Sequence, residues 1–190
     1  MVTPYIISLD LHHDIITPNQ KAAHLVNMPA IHLSYTSKIN KPGDSPVLTV
    51  SQIWAGLQRK VRFAQEFVPV IESCTVLEER EDGTVVRDVK FKEGAGPKPK
   101  ARETVREYYP SWVDFEQEDG THIRNVVSDG PSGELEDLHM TYMFEFDLPH
   151  AKGSEEQEKE TKRLKGMAKM AVEKSIDTIR EMVKDGRIKP

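Results

Sequence analysis

The chain has 190 residues, with 26 Lys+Arg against 31 Asp+Glu for a formal net charge of −5, and 37% hydrophobic residues. That length suits one domain, and no apolar run approaches the roughly 20 residues that a membrane-spanning helix needs. One cysteine, Cys74, excludes a disulfide framework and any Cys-based zinc site. The first residues show no basic stretch followed by a long apolar one, so they do not read as a secretory signal. The expectation is a soluble cytoplasmic protein.

Residues 1–29 hold Pro4, Pro18 and Pro29, the pair His12-His13, and no sustained hydrophobic period. They read as an extension outside the core: a mobile arm, a lid over the domain, or the product of an upstream start codon, since Met28 stands just before the first strand-like run. The domain is expected over 30–190. Ile31–Ile39 alternates as a strand and ends in the loop signal Lys41-Pro42-Gly43-Asp44. A helix follows. Thr49 and Gln52 have capping-box spacing, and Val50, Ile53, Trp54, Leu57 and Val61 recur on one face. Arg59, Lys60 and Arg62 fall in its last turn, where the helix dipole favours cations. A short helical piece with Phe63 and Phe67 ends at Pro69.

From Val70 the period becomes two. Val70–Glu79 and Thr84–Lys92 flank Asp82-Gly83, which predicts a hairpin with a type I′ turn. GAGPKPK (94–100) is a loop and Ala101–Tyr109 a strand. Trp112–Glu118 and Thr121–Ser128 flank a second Asp-Gly hairpin at 119–120, and DGPSG (129–133) is a turn cluster. Glu136–Asp147 is a long strand with Leu138, Met140, Tyr142, Phe144 and Phe146 on one face. Glu156–Lys184 is a long helix whose ridge is Leu164, Ala168, Val172, Ile176, Ile179 and Val183, with Met167, Ala171, Ser175 and Met182 beside it, and Gly186 ends it. Residues 151–190 are the basic part, with 11 Lys+Arg and 8 Asp+Glu. Their signs alternate, as on a solvated helix face. No basic stripe is interleaved with aromatics, so nucleic acid is not an expected partner.

Strand, short helices, about six antiparallel strands and one long amphipathic helix predict an α+β domain. A curved antiparallel sheet wraps the helix, and the small residues on that helix leave room for a cavity between the two.

Five segments carry a family resemblance: SYTSKINKPGDSPVLT (34–49), QIWAGLQRKVR (52–62), FVPVIESCTVLEE (67–79), VDFEQEDGTHIRNVVSDGPSGEL (113–135) and KGMAKMAVEKSIDTIREMVKDGRI (165–188). Over about residues 30–190 the chain resembles the fungal AtaL-like family, within the START-like (SRPBCC, helix-grip) superfamily. The resemblance implies a helix-grip fold with a cavity for an apolar or amphipathic small molecule. Members of the superfamily include transfer proteins, polyketide aromatase/cyclases and condensing enzymes such as the plant norcoclaurine synthases. AtaL-like members occur in fungal secondary-metabolite clusters, including those of epidithiodiketopiperazines. The family begins near Met28, so residues 1–27 have no counterpart. The resemblance transfers no catalytic motif, and fold alone does not assign chemistry.

Candidate residues therefore come from strand phase. Glu103, Val105, Glu107 and Tyr109 share a face, so Glu103 either enters the cavity as an acid/base group or pairs with Arg87 or Arg124. Phe115 shares a phase with Gln117, and Asn125 with Ile123. Gln117 and Asn125 either hold a ligand carbonyl or amide or satisfy buried backbone. Tyr35 and Tyr142 either donate to a developing oxyanion or anchor locally. Trp54, Phe67, Phe144, Met167, Met170 and Ala171 either line the cavity or fill the core. Glu103 and Tyr142 are the catalytic candidates; Tyr35, Trp54, Phe67, Val105, Phe115, Gln117, Asn125, Phe144, Met167, Met170 and Ala171 are the ligand-binding set.

The seven histidines show no H-x-x-x-H or H-E-x-x-H spacing. His122 and His139 lie on separate strands and would need a third ligand. Cys74 reads as a small buried residue. No glycine-rich phosphate loop follows a strand, so neither metal nor cofactor is expected. The functional expectation is a cyclase-type enzyme acting on a polyketide- or peptide-derived intermediate. The alternatives are a non-catalytic carrier of an apolar metabolite or lipid and, third, a protein-interaction module.

Overall fold

The computed structural model describes residues 31–94, 98–146 and 154–189. The expected N-terminal extension lies outside the described residues. The elements in chain order are β1 (Ile31–Lys38), α1 (Val50–Arg62), a 3-10 turn (Ala64–Glu66), β2 (Ile71–Glu79), β3 (Val85–Phe91), β4 (Lys100–Tyr108), β5 (Trp112–Gln117), β6 (His122–Asp129), β7 (Leu138–Phe146) and α2 (Glu155–Lys184). The strands form one antiparallel sheet in the order β1-β7-β6-β5-β4-β3-β2. It is a six-strand meander with β1 returned beside β7, curved around α2. None of the described helices is long and apolar enough to cross a membrane.

α1 begins as the sequence implies. Thr49 Oγ1 accepts from the Gln52 amide at 3.3 Å and Gln52 Oε1 accepts from the Thr49 amide at 3.0 Å, so two orphan donors are satisfied. Its buried face holds Ile53, Trp54, Leu57 and Val61, and also Gln52, Gly56 and Lys60. Ser154 caps α2 through the Gln157 amide at 3.2 Å. Ile176, Ile179 and Met182 carry α2 into the core with Leu57, Val61 and Phe67, and burying each large side chain contributes roughly 1.5–3 kcal/mol. The two helices meet at Gly56, where an added Cβ would clash with Ile179 Cγ1.

The hairpin turns differ from the expected type I′. Gly83 and Gly120 have φ of +83° and +87°, while no described non-glycine residue has positive φ. The Gly83 amide donates to the Arg80 carbonyl and the Arg80 amide to the Thr84 carbonyl, both at 2.9 Å. This is a type I turn closed by a glycine bulge. The physical reason lies in the aspartates: Asp82 Oδ1 accepts from the Thr84 amide at 2.9 Å and Asp119 Oδ1 from the Thr121 amide at 3.1 Å. Each side chain mimics a backbone turn and keeps its own residue at negative φ.

Strand register stacks inward side chains in rows across the sheet. One row runs Arg87–Glu103–Gln117 over β3, β4 and β5. The next runs Val85–Val105–Phe115–Ile123–Phe144–Leu33, and a third pairs Asn125 with Tyr142 and Tyr142 with Tyr35. These rows form the concave face beneath α2.

Candidate functional site

The concave face and α2 do not fill the space between them. A cavity of about 160 Å³ remains, partly open to solvent. β7 supplies an aromatic wall: Phe144 and Phe146 stack at 5.6 Å between centroids, and Tyr142 meets Phe144 edge-on at 6.4 Å. α2 supplies Leu164, Met167, Ala168, Met170 and Ala171, and the segment after the 3-10 turn supplies Val68–Ile71. The short side chains of Ala168 and Ala171 are why the helix leaves this volume empty.

Polar groups gather on one part of this wall. Arg87 and Glu103 are 3% and 4% exposed, and form an ion pair in which Nε and Nη2 donate to Glu103 Oε2 at 2.8 and 2.6 Å. Gln117 Nε2 donates to the other oxygen at 2.8 Å. Arg87 Nη1 donates to the carbonyls of Lys60 and Val61 at 2.9 and 2.7 Å, which closes the C-terminal end of α1. Its guanidinium also lies 4.8 Å from the Phe115 ring centre.

Lys60, which the sequence assigns only to the last turn of α1, lines this wall as well. Its residue is 6% exposed. Its Nζ donates to Asn125 Oδ1 at 2.7 Å, and lies 4.1 Å from the Tyr142 ring centre and 5.6 Å from that of Phe115. Among the described residues no carboxylate comes within ion-pairing distance of it. Burial first, and the Arg87 guanidinium second, push its ammonium down to about 7 against the opposing pull of Glu103. Its helix position was the available signal: Lys60 follows Leu57 by three and Ile53 by seven, on the buried face.

The other candidates divide. Phe115, Gln117, Phe144, Met167, Met170 and Ala171 line the cavity with Glu103 and Tyr142. Burial raises the Tyr142 phenol far above its ordinary value, opposed only by its neighbour Ser175. The structure does not bring Tyr35, Trp54, Phe67 or Val105 to the cavity. The Tyr35 hydroxyl donates to Glu173 Oε1 on α2 at 3.2 Å. Trp54 packs edge-on to Tyr109, and Phe67 and Val105 are fully buried in the core. Asn125 lies behind the wall as the acceptor for Lys60. The unanticipated lining groups include Arg87, Thr121, Ile123 and Phe146.

His122 and His139 do not meet. His122 pairs with Glu145 and His139 with Ser128, at opposite ends of the β6–β7 ladder. Among the described residues no His, Cys, Asp or Glu cluster could hold a metal ion. Cys74 is half-buried rather than fully buried, with Sγ donating to the Val61 carbonyl at 3.8 Å.

The arrangement is an apolar chamber with a buried amine and a fixed Arg–Glu–Gln row. Among solved structures, the di-domain ARO/CYC StfQ from the steffimycin biosynthetic pathway matches with a TM-score of 0.60 at 8% identity, over 88% of this chain and 55% of that one. This chain therefore spans about half the length of StfQ. The Zhui aromatase/cyclase from Streptomyces sp. R1128 matches with a TM-score of 0.57 at 11% identity, over 81% and 93%. A START superfamily protein from Mycobacterium smegmatis matches with a TM-score of 0.53 at 12% identity, over 81% and 97%. At these identities the likeness establishes the fold, which is START-like, the helix-grip arrangement. No curated protein matches by sequence. The family described as acetylaranotin biosynthesis cluster protein L (AtaL) matches residues 33–186, and the chain belongs to that family.

Proposed function

We propose that this member of the AtaL family binds an apolar or amphipathic small molecule in the cavity beneath α2. It acts on that molecule as a cyclase-type enzyme of secondary metabolism, closing or rearranging a ring in a polyketide- or peptide-derived intermediate. The observation that carries this reading is the cavity itself: aromatic and aliphatic walls with polar groups confined to Lys60, Arg87, Lys98, Glu103, Gln117 and Thr121. Few polar groups in an apolar wall orient a ligand without solvating it. Holding a flexible intermediate in one reactive conformer contributes up to about 7–11 kcal/mol toward a barrier. Arg87 and Gln117 occupy both oxygens of Glu103, so in this reading the carboxylate keeps that row in place. A single cysteine, which permits no disulfide within the chain, supports a cytosolic setting.

The second reading is a carrier. It is favoured by the way the row satisfies its own polar atoms, since Arg87, Glu103 and Gln117 bond mainly to one another. Native mass spectrometry of the protein purified from its own host, with extraction of whatever co-purifies, tests both. A bound small molecule that is converted on incubation supports the enzyme, and one recovered unchanged supports the carrier. A protein that carries nothing and binds no apolar fluorescent probe overturns the cavity reading.

A further inference from the structure

Lys60 is set apart from the other described lysines by its surroundings. Its amine is enclosed between the Tyr142 and Phe115 rings, both of which line the cavity. Its hydrogen-bond partner among the described residues is a neutral amide oxygen, Asn125 Oδ1. The charged groups that face it are Arg87 from β3 and Glu103 from β4, and those two are committed to each other. A surface lysine is held as ammonium by water and nearby carboxylates. Here the side chain is buried, and the neighbouring Arg87 guanidinium disfavours the charge. A desolvated amine beside a second cation is the environment that makes a lysine nucleophilic.

We propose that the Lys60 amine condenses with an aldehyde or ketone carbonyl of the molecule in the cavity and anchors it as an imine. This inference rests on the cavity reading above and names the ligand class: an apolar molecule bearing a reactive carbonyl. The neutral amine adds its lone pair to the carbonyl carbon, and the C=O π pair moves to oxygen. The carbinolamine then loses that oxygen as water, together with both former amine hydrogens, leaving a C=N bond. Uptake of one proton from solvent gives the iminium. The two aromatic faces that flank Nζ stabilise that cation. The iminium withdraws electrons from the neighbouring carbon, so a C–H there is acidified and its enamine becomes a carbon nucleophile. That is the requirement of a ring-closing condensation.

Lys60 titrates near 7. At pH 8 such an amine is about nine-tenths free base, whereas an ordinary lysine near 10.4 is less than about 1% free. The lower nucleophilicity of the weaker base offsets part of that advantage, leaving an expected preference of about tenfold.

The test incubates the full chain with 2-naphthaldehyde and sodium cyanoborohydride, which delivers hydride to the iminium carbon and leaves a stable secondary amine. Peptide mapping then locates the label. 2-Naphthalenemethanol, which has the same ring system but forms no imine, reports non-covalent occupancy by fluorescence. The expected result is saturable labelling at Lys60, about tenfold faster than at any other lysine at pH 8, rising from pH 6 to 8 and competed by the alcohol. Lys60→Met should remove that label. Mapping the unmodified chain gives the answer even where that variant fails to fold. Alcohol binding with Lys60 unlabelled, or labelled no faster than the other lysines, overturns the imine and leaves the cavity reading standing. Failure of both probes to bind overturns both.

Discussion

Arg87 and Glu103 face each other on β3 and β4 and close an ion pair of 2.6 Å with side chains only 4% and 5% exposed. Burying two charges costs solvation that their attraction offsets only while both are present. Arg87→Met is therefore expected to destabilise the fold by about 3–5 kcal/mol. It strands Glu103 and frees the carbonyls of Lys60 and Val61. Adding Glu103→Leu should recover a large part of that loss. Urea denaturation of the two single variants and the double variant checks this, and purely additive losses would show that the pair is not coupled.

Lys60 makes stability depend on pH. Its folded value is about 7 against an ordinary 10.5. Between those values the unfolded chain holds a proton that the folded chain does not, so stability rises with pH across the window. The slope approaches about 1.4 kcal/mol per pH unit. Below about 7 both states are protonated and the dependence flattens. Subtracting the Lys60→Met curve from the wild-type curve cancels the other titrating groups. A difference that stays level from pH 7 to 10 would place the amine in water.

Ala171 offers a way to fill the cavity without touching its polar row. It is half-buried on α2 and lines the space beside Met167 and Met170. Ala171→Phe is expected to weaken binding of an apolar fluorescent probe by more than about tenfold, the loss of about 1.4 kcal/mol or more. The thermal midpoint should be unchanged or raised, because unfilled space is replaced by packed side chain. Unaltered probe affinity in this variant would mean that the probe binds elsewhere.

Gly56 reports on the helix contact that seats α2. With an added Cβ clashing with Ile179 Cγ1, Gly56→Ala should cost about 1–3 kcal/mol as overpacking. Made in an Ile179→Ala background, the same change should become neutral or favourable, since alanine is the better helix former by roughly 1 kcal/mol. Calorimetry of the four chains checks the sign reversal.

Much of this protein is determined by local pattern. Alternation from Val70 onward specifies the strands, because side chains on a strand repeat every two residues. The Asp-Gly pairs specify both hairpins, although the turn type depends on where each aspartate side chain bonds. The strand phase that carries Glu103 inward follows from the same alternation, and its partner Arg87 sits in the buried phase of β3 between Val85 and Val89. Ala168 and Ala171 among larger residues imply a helix that does not fill its concavity. Lys60 required the tertiary structure. Three cations share the last turn of α1, and the helix dipole accounts for all of them equally. Helical period places Lys60 on the buried face, but a long flexible side chain there can still turn its ammonium out to water. What keeps it in is Asn125, 65 residues away in sequence, together with the Tyr142 and Phe115 rings, which arrive from other strands only when the sheet closes over the helix. Local sequence sets which face a side chain leaves from. The groups that meet it, and so the charge it can carry, are set by long-range packing.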